Sequence, residues 1–300
     1  MVNGKISMSM KAHALVLLAA ILSFVILIGC VSKELSEKVI SEENIGGKYN
    51  AKLVTSEMPI QYESFRKTAG KDYIEFKEIQ YSIGDKKFRG NYPRETYFID
   101  SIDWIKRNTS ENSIFLNWWD YGHMIRGATG RDIVIAQPSK ELALKTISMI
   151  GKIMDEKTFE EKYGYEVPEK IKDVGVALTT DDINVTNQIM DKYNAKYIYT
   201  TMFDLDVIHT MKEGDFETIV DTPQGQKTVP SKRFYESTLA KLQLFKGKDL
   251  KNYRLVYESQ PNLKSNEKNY KNVYNILYGG DLSLEDSGYI KIFEYVKGAK

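Results

Sequence analysis

The hydrophobic pattern divides the chain into a short apolar head and a long mixed body. From Ala14 to Val31 eighteen residues run without a charge, which meets the lower limit for a helix that crosses a membrane. Residues 34–70 are polar and weakly periodic, broken by Gly46-Gly47 and Pro59, and read as a stalk. Tyr73–Phe76 and Ile79–Ile83 alternate as half-buried strands do, and Gly84-Asp85 marks a turn. Pro93 opens a helical stretch with Phe98, Ile102 and Ile105 on one face. Ser113–Leu116 and Asp132–Ala136 read as short strands, and Ser139 as the N-cap of a helix striped by Ala143, Ile147, Ile150 and Met154. Val174–Leu178 is predicted as a buried strand. Thr180 is predicted to cap a helix that holds Asp181 and Asp182 in its first turn and Val185, Ile189 and Tyr193 on its inner face. Tyr197–Thr201 reads as a strand, and Tyr235, Leu239 and Leu242 as a helical stripe. Tyr253–Tyr257, Val273–Tyr278 and Tyr289–Val296 close the chain as strands. The succession predicts an α/β fold: a mixed, partly parallel sheet with packed helices, preceded by one N-terminal transmembrane or signal-anchor helix.

Charge sharpens the reading of the head. Lys5 and Lys11 precede the apolar run and Lys33 follows it, while Glu34, Glu37, Glu42 and Glu43 lie just beyond. That asymmetry favours an inside N-terminus and an extracytoplasmic, membrane-anchored body. The run ends in Leu27-Ile28-Gly29-Cys30, which resembles a lipobox with Cys30 as the lipidation site; an uncleaved anchor helix is the other reading. The regions are then 1–33 as anchor or lipoprotein-type signal, 34–90 as stalk and leading strands, and 91–300 as the globular domain. Lys and Arg number 42 against 41 Asp and Glu, which argues against a nucleic-acid partner. One Cys and three His exclude a disulfide framework and a Cys-based zinc site. Twenty Tyr and twelve Phe suit β-rich packing or a surface for extended ligands.

Residues 117–123 read Asn-Trp-Trp-Asp-Tyr-Gly-His, just after a predicted strand. Adjacent strand residues point to opposite faces, so Trp118 and Trp119 are both buried only at a sharp turn or in a two-sided layer. Asp120 accepts hydrogen bonds and, beside two indoles that exclude water, seeks a donor. Tyr121 adds a phenol, and Gly122 allows positive φ. A small apolar pocket with one acceptor suits a hydroxyl next to a methyl group. The alternative is a core turn whose Asp caps the following helix. The Asp-x-Asp at Asp204-Leu205-Asp206 and the lone His209 are weak metal signals, and Asn108-Thr109-Ser110 and Asn184-Val185-Thr186 are glycosylation acceptor patterns.

Trp118-Trp119-Asp120-Tyr121-Gly122 resembles the signature pentapeptide of the oligosaccharyltransferase catalytic subunit, and His123 with Ile125 resembles its archaeal form. Ile102–Thr109, Arg131–Val134, Leu255–Ser259 and Ile292–Ala299 are similar to other segments of that family's globular domain, so the likeness runs over residues 91–299. The resemblance implies that Trp118, Trp119, Asp120, Tyr121 and Gly122 bind the Ser/Thr of an Asn-X-Ser/Thr acceptor peptide, Asp120 taking the hydroxyl hydrogen and the indoles packing beside it. The family's second motif, Asp-x-x-Lys-x-x-x-Met/Ile on a helix, has its best match at Asp204 and Met211, with Val207 at the Lys position.

The family's catalysis belongs to a block of transmembrane helices that binds a divalent metal, Mn or Mg, and residues 1–300 contain one apolar segment. The resemblance therefore implies no catalytic residue, metal or cofactor on this chain. It implies a membrane-tethered, non-catalytic relative that binds acceptor peptide or serves as an accessory in N-linked glycosylation, with a multi-helix membrane transferase as partner. The alternative is a split component of a transferase whose helical block is a separate chain.

Overall fold

A computed structural model describes residues 37–59, 73–93, 95–144, 156–212, 214–222, 225–260 and 288–298. These fall into two compact units, one reaching to Ile171 and one beginning at Lys172. The apolar head with Cys30, the Val273–Tyr278 segment, and Ile147, Ile150 and Met154 lie outside the described residues. Among the described residues no helix is long and apolar enough to cross a membrane.

In the first unit β1 (Lys38–Ile45), β2 (Tyr49–Pro59), β3 (Tyr73–Ile83) and β4 (Lys86–Asn91) form an antiparallel sheet in that order. The stretch expected as stalk thus contains two strands. Their pattern hides them because β1 exposes every residue except Ile45, so no apolar face marks it. Helix α1 (Thr96–Asn108) starts three residues after Pro93 and buries Phe98, Ile102 and Ile105, as predicted. Burial of each of these side chains contributes roughly 1.5–3 kcal/mol. Strand β5 (Ile114–Asn117) leads through Trp118 into α2 (Trp119–Thr129). Helix α2 stops at Gly130, whose φ of 69° lets its N–H return to the Arg126 carbonyl at 2.9 Å.

The strand expected at Asp132–Ala136 pairs only over β6 (Asp132–Ile133), parallel to β5. Val134–Ala136 are buried without a ladder, held by the Val134 N–H on the Phe115 carbonyl. Arg131 joins the two helix ends. It donates to the carbonyls of Lys106, Thr109 and Thr129 at 2.9, 2.7 and 2.6 Å, occupying orphan acceptors at both C-termini. Ser139 Oγ accepts from the Leu142 N–H at 3.3 Å, the N-cap that was predicted. Helix α3 (Glu156–Tyr163) completes the unit.

The second unit corrects two predictions. Val174–Leu178 is not a strand but the end of α4 (Pro168–Thr179). A short apolar run looks the same in a buried strand and in a buried helix segment. Here Ile171, Val174, Ala177 and Leu178 recur at helical spacing and are buried. The next helix, α5 (Ile183–Lys192), is capped by Asp182, which accepts from the Asn184 N–H at 2.9 Å. Thr180 instead accepts from the Asp182 N–H, two residues too early to be the cap. The inner face is Thr186, Ile189 and Met190, rotated from the expected Val185 and Tyr193.

Strand β7 (Tyr197–Thr201) is followed by α6 (Met202–Asp206), α7 (Ile208–Met211) and the hairpin β8 (Glu217–Thr222) and β9 (Gly225–Pro230). The predicted stripe at Tyr235–Leu242 is two short helices, α8 (Lys232–Glu236) and α9 (Thr238–Gln243). They break at Ser237, whose hydroxyl accepts from the Ala240 N–H to start the second. Strands β10 (Tyr253–Glu258) and β11 (Ile290–Tyr295) pair antiparallel, and β11 pairs antiparallel with β7. The class is therefore the expected mixed α/β, with a parallel β5–β6 pair.

Candidate functional site

The Trp-Trp-Asp-Tyr-Gly sequence forms the junction of β5 and α2. Trp118 is the N-cap residue, extended at φ −68° and ψ 150°, and is 1% exposed. The backbone turns there, so the next ring, Trp119, points elsewhere and is also buried, at 6% exposed. Asp120 occupies the first turn, where the helix dipole favours a carboxylate. Tyr121 is buried and stacks on Phe98 with ring centroids 5.7 Å apart. Gly122 is helical rather than left-handed, contrary to expectation. Its need for hydrogen is steric: a Cβ there would lie 2.2 Å from the Ile135 carbonyl oxygen and 2.5 Å from Ala136 Cα. Asn117 ties the same segment down, its amide donating to the carbonyls of Trp118 and Ile135 at 2.6 and 3.2 Å.

Two of the five motif residues, Trp119 and Asp120, line a small open cleft. Trp118, Tyr121 and Gly122 hold the junction in the core. The cleft's other polar lining comes from Arg89 and Asn91 on β4, His123 on α2, Gln137, and Tyr163 on α3, with Phe159 and Pro138 as apolar wall. Asp120 is half-buried at its edge. Arg89 forms an ion pair with buried Glu78 and a second with Glu37 at 2.7 Å. Burial pulls the guanidinium down, but the two carboxylates outweigh it and hold it above the ordinary range. Tyr163 also donates to Glu78, at 3.4 Å. His123 Nδ1 lies 2.9 Å from the Tyr81 hydroxyl and Nε2 lies 3.2 Å from Gln137 Oε1. Burial pushes this imidazole down to about 4, against the Gln137 contact, which raises it. It is neutral at physiological pH.

Asp204 and Met211 lie in the second unit. The expected helix is broken into α6 and α7 at Val207, the residue at the family's Lys position. Asp204 is fully buried in a capping box: its carboxylate accepts from the Thr201 N–H at 2.8 Å, and Thr201 Oγ1 accepts in return from the Asp204 N–H. Val207 and Met211 are core residues, and His209 is exposed. Among the described residues no group of three or more His, Cys, Asp or Glu could hold a metal ion. Arg89, Glu78 and Gln137 were not singled out by sequence. The one signal available was a carboxylate at Glu78 within an alternating strand.

No family model matches the chain. It is 25% identical over 269 residues to dolichyl-phosphooligosaccharide-protein glycotransferase 3 of Archaeoglobus fulgidus, covering 70% of this chain and 28% of that protein. The chain thus spans little more than a quarter of the length of that curated relative. Among solved structures, the oligosaccharyltransferase of Archaeoglobus fulgidus in complex with zinc and sulfate aligns with a TM-score of 0.50 at 20% identity, over 69% of this chain and 36% of that one. That likeness places the fold. The C-terminal globular domain of an oligosaccharyltransferase from the same organism aligns at 15% identity and a TM-score of 0.36, over 68% of this chain and 99% of that one.

Proposed function

We propose, from the premise that this chain is homologous to archaeal oligosaccharyltransferase, that its cleft recognises the hydroxyl of an Asn-X-Ser/Thr acceptor peptide through Asp120. The observation that carries the reading is that half-buried Asp120 and Trp119 line one cleft together with the apolar Phe159 and Pro138. A carboxylate accepts only, so the ligand group must donate; a nearby indole face rewards a methyl. A threonine side chain offers both. The relative's name describes transfer from a dolichyl-phosphooligosaccharide to protein, and polypeptide is the matching ligand class here.

In this reading residues 1–300 are membrane-tethered through the apolar head, face the extracytoplasmic side, and do not catalyse transfer by themselves. The metal and the transfer chemistry belong to a multi-helix membrane transferase with which the chain works. The test is a titration of the chain with an Asn-X-Thr peptide and its Asn-X-Val counterpart, followed by indole fluorescence. Thr and Val have nearly the same shape, so the comparison isolates the hydroxyl. A hydrogen bond to a charged group is worth on the order of 1.5–3 kcal/mol, so the Thr peptide should bind roughly tenfold to a hundredfold better. Total affinity should be weak, about millimolar, because a short peptide loses entropy on docking. Equal binding of the two peptides would sink the reading.

A further inference from the structure

Among the polar groups that share the cleft with Asp120, one has a hydrogen-bonded device behind it. Gln137 lines the same cleft as Asp120, and its Oε1 faces His123 Nε2 at 3.2 Å. A neutral imidazole has one N–H and one lone pair. Oε1 can only accept, so Nε2 carries the proton. Nδ1 then has the lone pair, and the Tyr81 hydroxyl donates to it at 2.9 Å. Burial raises the Tyr81 phenol above its usual range, which keeps that proton in place.

With the Gln137 oxygen facing Nε2, the relay runs from the Tyr81 O–H to Nδ1 and from the Nε2 N–H to Oε1. The imidazole cannot swing away: β4 passes so close that a Cβ on Gly90 would stand 2.2 Å from His123 Cβ. The reversed relay, Nδ1–H to the Tyr81 oxygen and a Gln137 N–H to Nε2, belongs to the opposite amide orientation and the other tautomer. With its oxygen committed to His123, Gln137 has only N–H donors to offer, and they hydrogen-bond to no described residue.

We infer that Gln137 is a second recognition residue of this cleft, its side-chain N–H donating to a backbone carbonyl of the bound polypeptide, with His123 and Tyr81 as the positioning residues that aim it. The inference rests on the reading of Asp120 as the hydroxyl acceptor and extends it. An extended peptide presents carbonyl oxygens beside its side chains, so one acceptor and one fixed donor in a cleft match it as a pair.

The test uses the same Thr and Val peptides. Gln137→Glu keeps the oxygen facing His123 and the side-chain shape but replaces the donor with an acceptor. It should weaken both peptides, each by at least about threefold to tenfold, and leave their ratio unchanged. Gln137→Leu should do the same. His123→Leu should weaken both peptides similarly, and adding it to Gln137→Leu should cost nothing further, because the imidazole acts only through the amide. In wild-type protein the Gln137 side-chain NH2 resonance, assigned by its loss in Gln137→Leu, should move as peptide is added.

The two readings fail differently. If wild type prefers Thr over Val but Gln137→Glu and Gln137→Leu both bind like wild type, the Gln137 assignment is overturned and Asp120 stands. If wild type binds both peptides equally while the Gln137 variants weaken both, the Asp120 reading falls and the backbone donor stands. Binding of neither peptide overturns both.

Discussion

Asp120 and its neighbours divide one short sequence between two kinds of work. Trp118 and Tyr121 are packed where a substitution acts on stability, whereas Asp120 is half-buried and lines the cleft. Asp120→Asn keeps the shape and removes the charge, so it should abolish most of the Thr preference and leave thermal unfolding within about 0.5 kcal/mol of wild type. Trp119→Ala should weaken both peptides and destabilise by roughly 3–5 kcal/mol, read by denaturant unfolding. His123 sets a pH dependence of stability. Its folded value is depressed to about 4, below the ordinary 6.5, so between those limits the unfolded chain binds more protons. Stability should therefore rise with pH from about 4 to about 6.5 and then level off, with a contribution on the order of 3 kcal/mol. Urea unfolding at several pH values, taken as the difference between wild type and His123→Gln, should show that slope; an unchanged difference across the window would count against a buried neutral imidazole.

At the scale of elements, the placement of Trp119 and Asp120 depends on how closely α2 can lie against its surroundings. Residues 134–136 run alongside it without a strand ladder, and Gly122 approaches them closely. Gly122→Ala would set a methyl carbon 2.2 Å from the Ile135 carbonyl oxygen. Overpacking of this kind costs typically 1–3 kcal/mol, and here the clash is with backbone, which cannot rotate aside. The variant should unfold at lower denaturant by at least that amount, even though alanine favours helix over glycine by nearly 1 kcal/mol. A stabilised variant would mean that residues 133–136 yield easily. The same logic explains why α4 was misread. Val174–Leu178 has the β-branched look of a strand, but Gly175 lies where a Cβ would meet the Met211 carbonyl oxygen at 2.2 Å, a contact made only once the chain has folded.

For the molecule as a whole, residues 1–300 are proposed to supply recognition without transfer. Incubated with lipid-linked glycan, Mn²⁺ and an Asn-X-Thr peptide, they should yield no glycopeptide above a blank, and adding membranes that contain a multi-helix transferase should be required for product. Product from these residues alone would overturn the non-catalytic reading. The second unit contains a buried ammonium. Lys291 is fully buried on β11 and donates to the Gly288 carbonyl at 2.8 Å, with Glu258 Oε1 3.5 Å away. Glu258 in turn accepts from the Gly288 N–H at 2.7 Å. A buried ammonium is tolerated only with such partners.

Contiguous features were legible in the sequence by itself. The alternation of Tyr73–Ile83, the helical stripe of Phe98, Ile102 and Ile105, the strand Tyr197–Thr201 and the Trp-Trp-Asp-Tyr-Gly junction all carry their pattern within a few residues, because strand and helix periods act locally. The strands at Lys38–Ile45 and Tyr49–Pro59 were not legible, since the first has almost no buried face to mark it. Nor was the cleft. Arg89, His123, Gln137 and Tyr163 stand on separate elements and meet only when α2 packs under β4 and beside residues 136–138. Which Trp lines a site and which fills the core was likewise settled by the turn at Trp118, where one backbone rotation sends adjacent rings to different places. Local periodicity chose the elements; long-range packing, through glycine contacts and buried hydrogen bonds, chose which side chains face the cleft.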